Sequence, residues 1–252
     1  MPRAIVVIPT YNEIGSIESV LDRIRATDDA IDVLVVDDNS PDGTGHLIDR
    51  LAEADQRIHV LHRTEKNGLG RAYAAGFSWA LDNDYDYIIE MDADGSHQPE
   101  ELPRLLALLD AGCDVAIGTR WIPGGVIRNW PAYRKAISRT GTFYSRIMLG
   151  SKLHDLTSGY RGFRASALRA MDFSSVNSSG YGFQVELAWK FERSGAKMGE
   201  FPITFVEREE GVSKMSTGIV VEALVNVTVW GISSRLGRGP ERLQLPASAD
   251  AA

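Results

Sequence analysis

The chain has 252 residues, of which 44% are hydrophobic and 24% charged, and it contains one cysteine. These values are typical of a soluble globular protein with one large or two small domains, and a single cysteine excludes an internal disulfide. A cytosolic location is the simplest expectation. The N-terminal apolar run is too short for a signal peptide, and the apolar segment 218–232 is too short and too polar to span a bilayer.

Charge is distributed unevenly along the chain. Residues 1–119 carry a net charge of −14, residues 120–154 contain seven Lys or Arg and no Asp or Glu, and residues 155–252 are neutral overall. Ordinary solvated faces mix both signs. The basic block at 120–154 therefore indicates a surface that binds anions or a membrane. The acidic remainder of the chain argues against nucleic acid as the partner.

The first 119 residues alternate between strand and helix patterns. Strands are predicted at 4–9, 32–38, 58–63, 85–92 and 114–120, and helices at 17–26, 45–54, 70–83 and 99–112. Such alternation predicts an α/β fold with a Rossmann-like, mostly parallel sheet and helices on both faces. The tail 236–252, rich in Gly, Pro, Ala and charge, is expected to be disordered.

Polar residues follow four of the five predicted strands, at 9–13, 37–40, 92–94 and 118–120. In parallel sheets, ligands bind at the carboxyl ends of the strands. The pattern therefore predicts one rim with several carboxylates and the guanidinium of Arg120. Helix caps and turns would explain one such strand end more easily than all four.

Asp92 and Asp94 emerge together from the end of the fourth predicted strand. Unpaired, they would repel each other and lose hydration. Mg²⁺ or Mn²⁺ suits such oxygen ligands and binds through one or two carboxylates together with substrate phosphates. Asp-x-Asp alone is a weak signal, and its value here comes from its position. Other phosphate motifs are poor: no GxxxxGK[ST] occurs, and Tyr73 replaces the third glycine of a GxGxxG-like stretch.

Five motifs taken together resemble glycosyltransferase family 2 and its A-type nucleotide-sugar fold. They are IPTYNE, VVDDNSPDGT, KNGLGRAY, MDADGSHQPEE and GTRW. The later segments DLTSGYRGFR, GYGFQVEL and ITFVEREEGVSKMS look like the dolichol-phosphate (polyprenol-phosphate) mannose synthases of that family. The resemblance covers about residues 3–232.

This resemblance implies a reaction and a division of the chain. GDP-mannose would donate mannose, with inversion, to a polyprenyl (dolichyl-type) monophosphate, giving β-mannosyl phosphoryl polyprenol and GDP. One glycosyltransferase domain would span 1–235, with a nucleotide-sugar-binding half at 1–119 and an acceptor- and membrane-facing half at 120–235. The cofactor would be Mg²⁺ or Mn²⁺.

The resemblance also implies site residues. Asp92, Asp94 and Arg120 would be catalytic, and Asp94 would be the main metal ligand, helped by Asp92 and more weakly by Ser96. The acceptor phosphate would contact Arg134 and Ser138. The nucleotide sugar would contact Pro9, Tyr11, Glu13, Val36, Asp38, Asp92, Ala93, Asp94, Arg120, Arg208 and Lys214.

The chemistry of the acceptor agrees with this assignment. A phosphate monoester has a second pKa of about 6, so it is already anionic near neutral pH and needs no strong base. It needs cations that hold two anions together, and the planar fork of arginine suits phosphate. Arg120, Arg134 and Arg139 are therefore expected to hold the acceptor phosphate.

The basic block also predicts a basic amphipathic helix at 133–150 that lies on a membrane. The alternative is that its apolar residues are core and its arginines extend to the surface. Segment 216–234 is a second candidate, which packing as a core helix explains equally well. We expect a protein peripheral on the cytoplasmic face of a membrane, and a separate membrane-anchoring protein is a further hypothesis.

Three alternatives stay open at this stage. The same rim would serve a polyprenyl-phosphate glycosyltransferase that uses a UDP-sugar such as UDP-glucose. A processive polysaccharide synthase is disfavoured because QxxRW and a set of transmembrane helices are absent from the sequence. A non-catalytic nucleotide-sugar-binding subunit is disfavoured because Asp94 and Arg120 are both present.

Overall fold

The computed structural model describes residues 2–173, 181–207, 217–239 and 242–246. The strands are β1 (Ala4–Thr10), β2 (Asp32–Asp37), β3 (Ile58–His62), β4 (Tyr87–Glu90), β5 (Val115–Thr119), β6 (Val126–Arg128), β7 (Arg161–Arg164), β8 (Met198–Pro202) and β9 (Thr204–Val206). The helices are α1 (Ile17–Thr27), α2 (Thr44–Ala54), α3 (Leu69–Asp82), α4 (Leu102–Asp110), α5 (Ala132–Leu149), α6 (Ala165–Leu168), α7 (Tyr181–Arg193) and α8 (Thr217–Arg235).

Seven of these strands form one sheet in the order β3-β2-β1-β4-β7-β5-β8. Neighbouring strands run parallel except at β7, which is antiparallel to both β4 and β5. β6 and β9 pair in parallel as a separate two-stranded sheet. The prediction of an α/β fold with a mostly parallel sheet is confirmed. No strand is predicted at β7, because its four residues are too few and too charged to show a strand pattern.

The core lies on both faces of the large sheet. Ile5 and Val7 of β1 belong to an apolar cluster that includes α3 and α7, while Val6 and Ile8 belong to a second cluster that includes α1 and α4. All four side chains are completely buried. A strand covered on both sides reads as a continuous apolar run, which is why β1 shows no alternation with polar residues.

The helix α3 lies unusually close to β1 because of Gly76. A Cβ atom at this position would lie 2.4 Å from Cγ1 of Val7 and 3.0 Å from Cγ2 of Val36. Glycine permits this close approach of helix and strand. The contact fixes α3, and with it Tyr73, against the strand that leads into the polar rim.

Two predicted elements differ from the structure by more than one residue at an end, and the others agree within one residue. The fourth strand, predicted at 85–92, ends at Glu90, which leaves Asp92 and Asp94 in the turn that follows it. The helix predicted at 99–112 is a 3₁₀ turn, Pro99–Glu101, followed by α4. A second proline at 103, in the first turn of α4, lacks the backbone N–H but takes a position where that donor is not needed.

The C-terminal segment 242–246, which is part of the predicted tail, contacts the core of the protein. Leu243 and Leu245 pack against the cluster that includes α7, and the backbone N–H of Leu243 donates to Oγ of Ser194 at 2.8 Å. Packing against the core thus removes part of the apolar surface of these two leucines from water.

Candidate active site

The paired carboxylates lie in the turn that follows β4, at the carboxyl end of a central strand. Asp94 accepts a hydrogen bond at 3.0 Å from the backbone N–H of Ser96, and Ala93 is buried between the two aspartates. Gly95 has a φ of +74°, a left-handed conformation that glycine adopts without strain. The Asp92 side chain is 36% exposed, so its carboxylate remains accessible at the rim.

The residues present fit a divalent cation that is only partly held by protein. In the described ranges no group of three or more His, Cys, Asp or Glu side chains could hold a metal ion. Asp92 and Asp94 therefore supply at most two carboxylates. Mg²⁺ and Mn²⁺ accept such a sparse oxygen set when a diphosphate and water complete their coordination.

Ser96 and His97 support this turn from beneath. The Ser96 side chain is buried, and its carbonyl accepts a hydrogen bond at 3.1 Å from the backbone N–H of Val206, which ties the turn to β9. Nδ1 of His97 accepts a hydrogen bond at 3.2 Å from the backbone N–H of Asp92, and the ring stacks on Tyr160 at 5.1 Å. Burial lowers the pKa of His97, against the opposing charge of Asp92, so the ring stays neutral and can accept this bond.

Tyr73 of α3 is a further support that the sequence did not reveal. Its hydroxyl donates to the carbonyl of Met91 at 3.3 Å and to Oδ1 of Asp92 at 3.5 Å. Burial raises the pKa of Tyr73 well above its usual value, so the hydroxyl keeps its proton. Together with His97, it holds Asp92 at both the backbone and the side chain.

The predicted nucleotide contacts of the first half gather at the ends of β1 and β2. Pro9 and Val36 are register partners in neighbouring strands. The Val36 side chain is fully buried, so only its backbone can contribute to a ligand site. The ammonium of Lys66 lies 3.9 Å from the ring centroid of Tyr11, and the backbone N–H of Glu13 donates to Thr44 at 3.1 Å.

Asp38 is a buried carboxylate at the same rim. Nη1 of Arg63 donates to its Oδ1 at 2.6 Å, and the side chain is only 7% exposed. Burial raises the pKa of Asp38, and the charge of Arg63 opposes that shift. A carboxylate already held by arginine suits a hydrogen-bond acceptor for a neutral sugar or base group better than it suits a metal ligand.

Arg120, directly after β5, is buried and held by Asp155. Its Nε donates to Oδ2 at 2.7 Å and its Nη2 donates to Oδ1 at 2.8 Å, while Nη2 also donates to Thr157 at 2.8 Å. Asp155 is fully buried. Arg120 thus lies at the rim as predicted, and Asp155 and Thr157 are positioning residues that no sequence argument assigned. The motif DLTSGYR, which contains both, was the available signal.

An aromatic ring joins Arg120 to the carboxylate turn. The guanidinium carbon of Arg120 lies 5.3 Å from the ring centroid of Phe205. The rings of Phe205 and His97 pack edge to face, with their centroids 5.6 Å apart. Nδ1 of His97 is 3.8 Å from Oδ2 of Asp92. Phe205 and His97 therefore connect Arg120 to Asp92 through direct contacts.

A narrow groove runs from Arg120 between α5 and α8. Nη1 of Arg134 donates to Oε1 of Glu207 at 2.5 Å, and its guanidinium lies over Trp130 at 4.7 Å. The groove is cationic at this end and apolar along the helices. Its lining comprises Arg120, Trp130, Arg134, Ile137, Ser138, Gly141, Ser145, Thr157, Val185, Ala223, Leu224 and Val227.

The structure brings Arg120, Arg134 and Ser138 together in the groove, whereas Arg139 lies on another side of α5 from Arg134 and Ser138. Arg139 lines a different cleft, on the neighbouring side of α5, together with Lys135. Successive residues of a helix point about 100° apart, so positions 138 and 139 face different surfaces. Arg208 and Lys214, predicted to contact phosphates, lie outside the described residues.

Helices α5 and α8 expose an apolar surface around this groove. Val227 of α8 is buried against its neighbours, but much of the rest of α8 is not, so α8 is more than a core helix. In the described residues no helix combines the length and apolarity needed to cross a membrane. Among the described side chains of the two helices, the large apolar ones that are exposed are Tyr133, Ile137, Phe143, Ile147, Val221, Leu224, Val225, Val229 and Ile232.

This sheet, with paired carboxylates beyond a central strand, defines an enzyme with the A-type glycosyltransferase fold. The chain belongs to glycosyl transferase family 2, whose family model matches residues 5–171. A glucosyl-3-phosphoglycerate synthase from Mycobacterium tuberculosis, solved with Mn²⁺ and UDP-glucose, shares the fold with a TM-score of 0.64 at 22% identity, covering 95% of this chain and 80% of that one.

Three relatives are much closer in sequence. An undecaprenyl-phosphate mannosyltransferase of Micrococcus luteus is 56% identical, covering 92% of this chain and 96% of its own. A polyprenol monophosphomannose synthase of Mycolicibacterium smegmatis is 52% identical, and the match covers 94% of this chain and 89% of the relative. A dolichol-phosphate mannosyltransferase of Pyrococcus furiosus is 35% identical, and the match covers 88% of this chain and 62% of the relative. The predicted family is confirmed.

Proposed function

We propose that this enzyme transfers mannose from GDP-mannose to a polyprenyl monophosphate, with inversion, giving β-mannosyl phosphoryl polyprenol and GDP. The observation that carries the proposal is the groove between α5 and α8. It offers arginines at the end nearest Asp92 and Asp94, and apolar walls along its length. A phosphate joined to a long hydrocarbon chain matches that polarity, and the names of the close relatives support the same acceptor and sugar.

In this proposal one domain at 1–235 divides the task between two halves. The half at 1–119 holds the nucleotide sugar at the rim formed by Tyr11, Asp38 and the carboxylate turn. The half at 120–235 holds the acceptor phosphate through Arg120, Arg134 and Ser138. Arg208 and Lys214 are proposed to contact the donor phosphates, on the strength of the sequence motif alone.

The proposed reaction is a single displacement at the anomeric carbon. An oxygen of the acceptor phosphate forms the new bond to this carbon as the bond to the donor diphosphate breaks on the opposite face, which inverts the configuration. The acceptor is already anionic near neutral pH, so no side chain has to remove a proton from it. The work of the protein is to position two anions and to offset their repulsion.

Asp92 and Asp94 would hold Mg²⁺ or Mn²⁺, with Ser96 as a weaker, water-bridged ligand. When bound, such an ion supplies Lewis-acid stabilisation of the departing diphosphate. His97 and Tyr73 keep Asp92 in place for this role. Because Ser96 is buried, its direct contribution would require the turn to open.

We also propose that the enzyme works at the cytoplasmic face of a membrane, with the exposed apolar side chains of α5 and α8 in the lipid surface. Amphipathic helices bind such surfaces through buried apolar area and cationic residues. A separate membrane-anchoring protein would strengthen this attachment. If the purified chain binds vesicles and works at full rate unaided, no such partner is needed.

One transfer assay tests the proposed reaction. The purified chain is incubated with Mg²⁺ or Mn²⁺, a polyprenyl phosphate, and radiolabelled GDP-mannose, UDP-glucose or UDP-GlcNAc in parallel, and the label in the organic phase is counted. Label from GDP-mannose alone, lost with EDTA, supports the proposal. Label from a UDP-sugar would overturn the donor while keeping the lipid acceptor. Nucleotide binding without label would point to a missing membrane partner or another acceptor.

A further inference from the structure

The cations of α5 are divided between two surfaces. Arg134 and Ser138 face the groove shared with α8, whereas Lys135 and Arg139 line a cleft beside the segment 121–127. Lys135 and Arg139 are four residues apart and so lie one above the other on the same helix face. The proposed reaction uses Arg120, which lines both surfaces, together with Arg134 and Ser138, and it assigns no role to Lys135 and Arg139.

The second cleft is strongly cationic. It has a volume of about 470 Å³, and its lining includes Arg120 as well as Lys135 and Arg139. None of the described residues that line it carries a carboxylate. Nζ of Lys135 donates to the carbonyl of Ile127 at 3.2 Å, which fixes the ammonium at the wall and uses one of its three donors. Arg139 is exposed and forms no ion pair with any described residue.

Two cations at this spacing repel each other unless an anion lies between them. Arginine and lysine side by side offer both a planar fork and a point charge, a combination that suits a phosphate group. The cleft therefore has the chemistry of a phosphate-binding site that adjoins the acceptor groove and shares Arg120 with it.

The surroundings of the cleft indicate where that phosphate comes from. Val126 and Tyr133, which flank it in sequence on β6 and α5, are large apolar side chains that are 41% and 67% exposed. Trp121 lines the cleft itself. Aromatic and apolar side chains next to cations are typical of the headgroup level of a membrane.

We propose that Lys135 and Arg139 bind the headgroup phosphate of an anionic membrane phospholipid. This contact would seat α5 on the membrane so that the neighbouring groove opens at the lipid surface. The inference rests on the proposed membrane location of the enzyme. It is independent of which sugar is transferred and of which lipid accepts it.

The test is vesicle binding in the absence of donor and acceptor. Co-sedimentation is measured with vesicles of phosphatidylcholine alone and with vesicles that also contain phosphatidylglycerol, at fixed ionic strength. The double variant Lys135→Gln/Arg139→Gln is compared with a control of equal charge change, Arg50→Gln/Lys152→Gln, whose two residues are exposed and lie outside the cleft. Because no transfer is measured, a failure of the proposed reaction cannot be confused with a failure of this site.

We expect the Lys135/Arg139 variant to lose about tenfold or more in affinity for the phosphatidylglycerol vesicles, since each basic residue near an anionic surface contributes several-fold. The control should change less than threefold, and binding to phosphatidylcholine should be the same for all three proteins. An equal loss in both variants would overturn the site, because it would show only general attraction of charge.

A competition experiment with inorganic phosphate tells whether the cleft binds a lipid headgroup or the free phosphate ion. Inorganic phosphate is added to the wild-type protein on phosphatidylglycerol vesicles, with chloride salt as the control at matched ionic strength. A membrane presents many headgroups to the cleft at a high local concentration, so millimolar phosphate should release the protein no more than chloride does. Specific release by millimolar phosphate would identify a site for the free ion and overturn the proposal.

Discussion

Arg120 and Asp155, 35 residues apart in sequence, form a buried two-point ion pair beside the groove between α5 and α8. The same carboxylate also accepts the backbone N–H of Arg120 at 3.2 Å. Side chain and backbone of Arg120 are therefore fixed by one partner. A phosphate-binding arginine that is held in place before its ligand arrives loses less entropy on binding.

Replacing this partner should damage both stability and acceptor use. In Asp155→Asn the shape is kept but the charge is lost, which leaves the Arg120 guanidinium buried without its counter-ion. Breaking a buried pair in this way costs about 3–5 kcal/mol. We expect the free energy of unfolding to fall by that order, and KM for the polyprenyl phosphate to rise more than kcat falls. Denaturant unfolding and steady-state transfer measure the two effects.

Asp110→Asn provides the control for this prediction. Asp110 accepts a hydrogen bond from Tyr87 at 2.8 Å, away from the site, so its loss should leave KM for the lipid unchanged. If Asp155→Asn lowered stability but left KM for both substrates at the wild-type value, Asp155 would be a structural residue and not one that positions Arg120.

Asp94 tests the proposed metal site. Asp94→Ala should reduce metal-dependent transfer by about 10²-fold or more, because the departing diphosphate loses its main source of charge stabilisation. The fold should survive, since the side chain is only partly buried and accepts a local bond from Ser96. Asp82→Ala, at the exposed end of α3, is the matched control. Undiminished turnover by the Asp94 variant would refute the metal assignment.

Arg134 tests the assignment of the acceptor. Its guanidinium lines the groove and is oriented by Glu207 and Trp130. Loss of a hydrogen bond to a charged group costs about 1.5–3 kcal/mol, so Arg134→Ala should raise KM for polyprenyl phosphate by roughly 10- to 100-fold. Affinity for GDP-mannose, measured by calorimetry, should stay within about twofold of wild type. A large loss of nucleotide affinity would place Arg134 on the donor instead.

Local sequence patterns predicted most of the fold, and the failures share a cause. The strands and helices of the first half show their own periodicity, so each was recognisable alone. β7 was missed because its place between β4 and β5 depends on pairing across more than 40 residues of chain. Asp155 was missed for the same reason, since its role exists only in contact with Arg120.

The basic block shows what helix periodicity adds to a count of charges. Arg134, Ser138 and Arg139 were grouped because all lie in one basic block. Helical geometry places 134 and 138 on one face and 135 and 139 on the next, about 100° away. The structure confirms this separation by lining two different clefts with the two pairs. A count of charges identifies the basic block at 120–154, but only helix periodicity assigns its cations to two faces of α5.

Glu90, the last residue of β4, should make stability depend on pH. Its side chain is completely buried, and Arg161 and the Gln184 side chain are the neighbours that favour its charged form. Burial raises the pKa of Glu90 from 4.5 to about 8, although the charge of Arg161, its register partner in β7, opposes the shift. The folded protein therefore keeps a proton that the unfolded chain releases.

The sign of the effect follows from this difference. Below pH 4.5 both states are protonated and the contribution of Glu90 to stability is fully present. Between pH 4.5 and about 8 only the unfolded chain ionises, so the free energy of unfolding falls with a slope that approaches about 1.4 kcal/mol per pH unit for one proton. Above the folded pKa the loss is complete.

Glu90→Gln should remove this slope, because glutamine has a similar shape and no proton to release. Urea unfolding at pH 5.5, 6.5, 7.5 and 8.5 would measure it as the difference between variant and wild type. We expect the variant to gain stability relative to wild type as pH rises, and Glu53→Gln, on the exposed side of α2, to run parallel to wild type. A Glu90→Gln curve that also ran parallel to wild type would show that Glu90 is ionised in the folded protein, with Arg161 as the partner that keeps it so.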